Sequence, residues 1–137
     1  MMPQRISIQA FGPYAGQQVV EFGPFQAKSL FLIHGKTGSG KTTLFDAMCY
    51  SLYGETSGDL RDGDEMRSHH AKDDMLTQVE FDFSIGARHY RVRRAPTQLR
   101  QKTHGTGTTK VKHQAELYER TTGEKKDGNL LATRLTA

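Results

Sequence analysis

Tryptophan is absent from this 137-residue chain, and cysteine occurs once, at Cys49. A lone cysteine excludes an intrachain disulfide framework and a cysteine-based zinc site, and it fits a reducing compartment. Cys49 itself reads as a small core residue. No run approaches the roughly 18 apolar residues that a membrane span requires. The N-terminus, with Arg5 and alternating polar positions, lacks the apolar stretch of a signal peptide. The expectation is a cytoplasmic protein that makes no use of a membrane. Acidic residues are missing from Phe83 to Ala115, while Arg88, Arg91, Arg93, Arg94, Arg100, Lys102, Lys110 and Lys112 place eight of the 19 basic residues there. The rest of the chain holds the other 11 against all 15 acidic residues, a net of −4 beneath an overall charge of +4. A basic stripe on a slightly acidic body points to a polyanionic partner. Hydrophobic residues make up 35% of the chain, enough for one modest core, and the length suits a single domain or a piece of one.

The opening, Arg5 to Phe11, alternates Ile6, Ile8 and Ala10 with polar residues, the period of a strand with one buried face. Gly12 and Pro13 force a turn, and Gln17 to Phe22 supplies a second strand, so the pair predicts a hairpin closed by Gly23 and Pro24. Ser29 to His34, with four apolar residues in succession, reads as a strand buried on both faces of a sheet. From Lys41 to Tyr53, Leu44, Ala47, Met48, Ser51 and Leu52 recur at helical spacing, and Gly54 is placed to end the helix. Gly54 to Asp74 lacks periodicity and reads as an ordered loop or a short irregular helix. Thr77 to Ile85 and Arg88 to Arg94 form a second predicted hairpin around Gly86 and Ala87. Pro96 to Lys110 has almost nothing to bury and reads as a mobile loop. Val111 to Arg120 is a plausible third strand, with Ala115, Leu117 and Val111 on its buried side and a turn at Thr122 and Gly123. The tail from Leu130 resembles the start of a helix.

Between the predicted buried strand and the amphipathic helix lie Gly35, Lys36, Thr37, Gly38, Ser39, Gly40, Lys41 and Thr42, which match GxxxxGK[ST]. Strand, glycine loop and helix in that order let loop amides and the first helical turn converge on an anion. The pattern predicts ATP and Mg²⁺ as cofactors. Lys41 would extend a cation to the β- and γ-phosphates, Thr42 would offer its hydroxyl to Mg²⁺, and Thr43 would meet the α-phosphate. The plainer alternative is a glycine-rich turn capping an ordinary helix.

With the loop in place, the segment KTTLFDAMCYSLYGETSG (Lys41 to Gly58) resembles the start of the SbcC family. Further segments carry the resemblance along the whole chain: AFGPYAGQQVVEF (Ala10 to Phe22), LFLIHGKTGSGKTT (Leu30 to Thr43), RDGDEMRSHHA (Arg61 to Ala71), VEFDF (Val79 to Phe83), YRVRR (Tyr90 to Arg94) and AELYE (Ala115 to Glu119). The phosphate loop is common to many unrelated enzymes, whereas this order of segments is specific. SbcC-type proteins are SMC-like, ABC-type ATPases. The resemblance implies an α/β fold: residues 1–137 would be the N-terminal lobe of an ABC-type P-loop NTPase head, a mixed sheet with antiparallel β hairpins and a phosphate-loop helix. It also implies an SbcD-like nuclease subunit as partner, a second head in a dimer, and DNA double-strand-break repair with DNA end and hairpin processing. Family members carry the signature motif and the catalytic carboxylate in a later half beyond a long coiled coil. The chain is therefore expected to bind nucleotide poorly and to hydrolyse it negligibly by itself.

Arg91, Arg93 and Arg94 are candidates for DNA phosphates. Along a strand Arg91 and Arg93 share one face and Arg94 sits opposite, and a solvated strand face is the competing reading. His69 and His70 lack a second ligand at helical spacing, which argues against a metal site. His34 reads as structural, and Asp46 as the acceptor of a local hydrogen bond. Two other classes stay open: a different P-loop NTPase, and a nucleic-acid-binding module.

Overall fold

The structure, a computed structural model, describes residues 1–27, 30–58, 63–121 and 127–133. Its frame is a six-stranded sheet with one helix laid across one face. The strands are β1 (Met2–Phe11), β2 (Tyr14–Glu21), β3 (Gln78–Ile85), β4 (Arg88–Ala95), β7 (Gln114–Arg120) and β8 (Asn129–Ala132), and the helix is α1 (Lys41–Tyr53). The spatial order is β2-β1-β3-β4-β7-β8. Every pairing among the described residues is antiparallel, so the mixed sheet expected from the sequence is here an antiparallel one. Two short strands, β5 (Gln98–Gln101) and β6 (Thr108–Val111), pair with each other apart from it.

Alternation does the sorting. Ile6, Ile8, Val79, Phe81, Phe83 and Val92 are buried together. Leu44, Ala47 and Tyr50 of α1 pack onto them, with the Phe11 and Tyr50 ring centroids 5.5 Å apart. Burial of this apolar surface, at roughly 25 cal/mol per Å², is what fixes the helix on the sheet. Gly54 ends α1 in the left-handed conformation at φ +86°, its N–H donating to Tyr50 O at 2.8 Å. Cys49 is only half-buried, at the margin of the core.

The opposite face is ionic. Glu80 stands across from Arg93, and Asp82 across from Arg91. Arg91 clasps Asp82 through Nε–Oδ1 at 2.7 Å and Nη2–Oδ2 at 2.8 Å, and Arg120 reaches the same carboxylate at 2.8 Å. Arg5 and Arg93 bind Glu80 at 3.0 and 2.9 Å. Opposite charges directly across a ladder support its register.

Three expectations are corrected. Leu30 to His34 forms no strand: the Phe31 ring packs at a tilt against Phe22 and Phe25, with centroids 6.0 and 5.6 Å away, while Leu30 and Leu32 are 86% and 82% exposed. The segment finds no ladder partner among the described residues and packs Ile33 against the core, so its apolar run is not enclosed on both sides. Pro96 to Lys110 is not an unstructured loop, since β5 and β6 form a ribbon there, and Val111 belongs to that ribbon and not to β7. Leu130 enters β8, which pairs with β7 through Tyr118↔Leu130 and Leu117↔Ala132. The turn expected at Thr122 and Gly123 lies outside the described residues, as does Ser29.

Candidate nucleotide site

The glycine loop leads without interruption into the N-terminus of α1. Gly38 at φ +82° and Gly40 at φ +86° occupy the left-handed region that side chains disfavour. Gly40 is the cap residue, and no side chain caps the helix there. The first amides of α1, beginning at Lys41 within the loop motif, are therefore left without intrahelical acceptors. Ser39 N–H donates to Lys36 O at 3.1 Å, and Leu44 N–H to Gly40 O at 3.2 Å. Lys41 folds back so that Nζ donates to Gly35 O and Lys36 O, both at 2.8 Å. That ammonium is held by two main-chain carbonyls and forms no ion pair with a carboxylate among the described residues.

The loop is braced from the first hairpin. Tyr14 Oη donates to Gly40 O at 2.9 Å, and a Cβ at Gly40 would run into that tyrosine hydroxyl. Partial burial raises the Tyr14 pKa, keeping the phenol a donor. Gly12, at φ +57°, passes so near the helix that a Cβ on it would lie 2.7 Å from Thr43 Cγ2. Its N–H donates to Met66 O at 2.8 Å. Asp46, one turn into α1, accepts the Ser57 N–H at 3.1 Å and the Ser57 hydroxyl, the local role expected of it. That contact holds Ser57 beside Thr42 and Thr43.

A cleft of about 490 Å³ opens between Thr37, Gly38, Lys41, Thr42 and Thr43 on one side and Gly12, Pro13, His69 and His70 on the other. Thr42 is exposed and Thr43 half-buried. A cavity of about 520 Å³ on the far side of the loop is mainly apolar, lined by Phe22, Phe25, Phe31 and Leu32, with His34 exposed at its edge. Lys41, Thr42 and Thr43 all line the first cleft. Of the nine residues expected at the site, Thr37, Gly38, Gly40, Lys41, Thr42 and Thr43 line the first cleft, whereas Gly35 and Ser39 line the second. Sequence reasoning missed Gly12, Tyr14, His69 and His70, which are brought to the loop from about thirty residues away on either side. Among the described residues, His, Cys, Asp and Glu form no group of three able to hold a metal ion.

Arg91, Arg93 and Arg94 lie elsewhere. Arg91 and Arg93 share the ionic face and both reach Asp127, at 3.0 and 2.6 Å, with Arg93 stacked over the Tyr118 ring at 5.6 Å. Hydrogen bonds that Arg91 donates to Asp82 raise its pKa against the opposing effect of burial. Arg94 points the other way, donating to Ser51 O at 3.0 Å and Leu52 O at 3.3 Å, a cation on the C-terminal carbonyls of α1. Burial lowers its pKa. All three guanidinium groups have acceptors within the chain.

No helix among the described residues is long and apolar enough to cross a membrane. A family model described as an AAA domain matches residues 5–134. The chain is 44% identical over 131 residues to the SbcC component of the SbcCD nuclease of Vibrio cholerae serotype O1, covering 96% of this chain and 12% of that protein. It is 44% identical over 117 residues to the component of the same name in Lactococcus lactis subsp. lactis, covering 85% and 11%. With the Staphylococcus aureus counterpart it shares 35% over 124 residues, covering 90% and 12%. The chain thus spans about an eighth of the length of these relatives. An antiparallel sheet, a helix opened by a glycine loop and the match over residues 5–134 agree: the chain belongs to the AAA-domain family and is similar to part of the SbcC proteins.

Proposed function

We propose that this chain binds ATP with Mg²⁺ at Gly35–Thr43 and serves as the N-terminal lobe of an ABC-type, SbcC-like ATPase head. That head would work with an SbcD-like nuclease subunit in DNA double-strand-break repair and DNA end or hairpin processing. One observation carries the reading: two left-handed glycines deliver the chain into an uncapped helix N-terminus beneath a lysine whose ammonium rests only on main-chain carbonyls. The donor set fits a magnesium nucleotide. Lys41 would exchange its two carbonyls for the β- and γ-phosphates, Thr42 would hold Mg²⁺ through its exposed hydroxyl, and Thr43 would take the α-phosphate. Bound Mg²⁺ would offset phosphate charge, while this chain's own part is to bind and orient.

Hydrolysis needs more: a carboxylate to polarise water and a second head to close over the γ-phosphate. In this reading both come from outside the 137 residues, and the exposed Leu30 and Leu32 belong to a surface that the rest of the head covers. Calorimetry tests the binding step. Removing one charge-assisted contact, worth roughly 1.5–3 kcal/mol, predicts that Lys41→Ala weakens Mg-ATP binding about ten- to a hundredfold. Equal affinity in the mutant would remove the loop from the function. Robust Lys41-dependent phosphate release by the chain alone would show that the catalytic parts lie within it.

A further inference from the structure

β1 changes partner near its end. Its ladder with β3 stops at Gln9↔Gln78, and its ladder with β2 shifts register between Gln9 and Phe11. At the break stands Ala10, buried and at φ +49°, a left-handed conformation that no other non-glycine adopts among the described residues. A side chain makes that region costly, and such an outlier persists only where its surroundings over-determine it. Two hydrogen bonds on one carbonyl do so here. Ala10 O accepts the Ser68 N–H at 2.8 Å and the Thr77 hydroxyl at 2.9 Å. The same hydroxyl accepts from Arg67 Nη1 at 3.4 Å.

Beyond Ala10 the strand pairs with a different segment. Phe11 forms an antiparallel bridge with Arg67, bracketed by Ser68 N–H on Ala10 O and Gly12 N–H on Met66 O, both at 2.8 Å. The partners are anchored, since Met66, Ser68 and Thr77 are all buried. Gln98, only 7% exposed, accepts the Thr77 N–H at 2.7 Å and donates its amide to Thr77 O at 2.9 Å. Arg67 closes the turn that follows, donating to Lys72 O at 3.0 Å and to Met75 O at 2.6 Å. The turn so held carries the exposed His69 and His70 to the cleft that Lys41, Thr42 and Thr43 line. On the β1 side, Gly12 is delivered against the Thr43 side chain. One left-handed residue thus joins the sheet to both parts of the wall that faces the glycine loop.

We propose that Ala10 and Thr77 are positioning residues of the nucleotide cleft: the Thr77 hydroxyl holds the turned-out Ala10 carbonyl, and that turn sets the Gly12 and His69 wall against Thr42 and Thr43. This rests on the nucleotide part of the function proposed above. The test is titration of the chain with a fluorescent ATP analogue and Mg²⁺, with urea denaturation and amide exchange measured in parallel. Thr77→Val keeps the shape and removes one buried hydrogen bond, so nucleotide affinity should fall about fivefold, and exchange of the Ser68 amide should quicken by a similar factor. Thr77→Ser restores the hydroxyl and should bind within about twofold of the wild type. Ala10→Gly tolerates the positive φ and should also keep affinity, whereas Ala10→Val, a β-branched residue unsuited to it, should weaken binding more than Thr77→Val. Val92→Ala, in the core away from the cleft, lowers stability through the cavity it leaves and should not change affinity below its unfolding transition. Should Thr77→Val not fold, Arg67→Gln releases the same turn from a half-buried position and is expected to weaken binding about fivefold. Unchanged affinity in Thr77→Val, no recovery in Thr77→Ser, or an equal loss in Val92→Ala would overturn the proposal while leaving the nucleotide reading in place. Wild-type protein that binds no nucleotide would overturn both.

Discussion

Tyr14 and Gly40 show how the glycine loop is held from outside itself. The tyrosine hydroxyl fixes the carbonyl of the residue that turns the chain into α1, so the loop's shape depends on a side chain 26 positions earlier. Tyr14→Phe keeps the ring and loses one hydrogen bond, worth about 1 kcal/mol. Mg-ATP binding should weaken about fivefold in a titration with a fluorescent nucleotide, with the fold intact. Gly40→Ala combines a disfavoured φ with a collision against the same hydroxyl and should reduce binding below detection. Lys41 and Thr42 were legible in the sequence because a spacing of glycines, lysine and threonine is local. Gly12 and Tyr14 were not, because closeness to the loop is a property of the β1–β2 turn's place in the fold, which no local pattern encodes.

The ionic face of the sheet sets the stability of the strands that flank the helix. Asp82 is buried and bound by both Arg91 and Arg120. Asp82→Ala leaves two guanidinium groups short of their shared carboxylate and should cost about 3–5 kcal/mol in urea denaturation. Asp127 joins the same network from the segment before β8. Burial alone would raise its pKa, but hydrogen bonds from Arg93 and Arg91 outweigh burial and bring the carboxyl below its ordinary value. The stability it contributes is therefore fully present above the unfolded-state pKa of about 3.9 and is lost as pH falls through the lower folded value. Urea midpoints should accordingly decline less steeply below about pH 4 in Asp127→Asn than in the wild type. Elements with one buried face were readable from the sequence: Ile6 and Ile8, Val79 and Phe81, and Leu44 and Ala47 show their periods plainly. The Leu30–Ile33 run misled because consecutive apolar residues do not reveal whether a partner strand exists. The β5–β6 ribbon went unread because it buries little, its pairing resting on main-chain bonds and on the anchor at Gln98.

At the scale of the molecule, charge and chemistry are divided between distinct places. One end of α1 presents main-chain amides and Lys41 to a cleft, its other end is closed by Arg94, and a basic ribbon projects from a body whose other arginines are largely neutralised. Similarity covers 96% of this chain and 12% of the Vibrio cholerae relative. The central claim is that the Gly35–Thr43 bend grips a triphosphate. Its most direct measurement is a crystal structure of the chain with a non-hydrolysable ATP analogue and Mg²⁺. The account predicts the β- and γ-phosphates within hydrogen-bonding distance of the amides from Gly38 to Thr43, Thr42 on the metal, and Lys41 Nζ moved from the Gly35 and Lys36 carbonyls onto phosphate oxygens. A nucleotide bound elsewhere, with Lys41 still on those carbonyls, would contradict it.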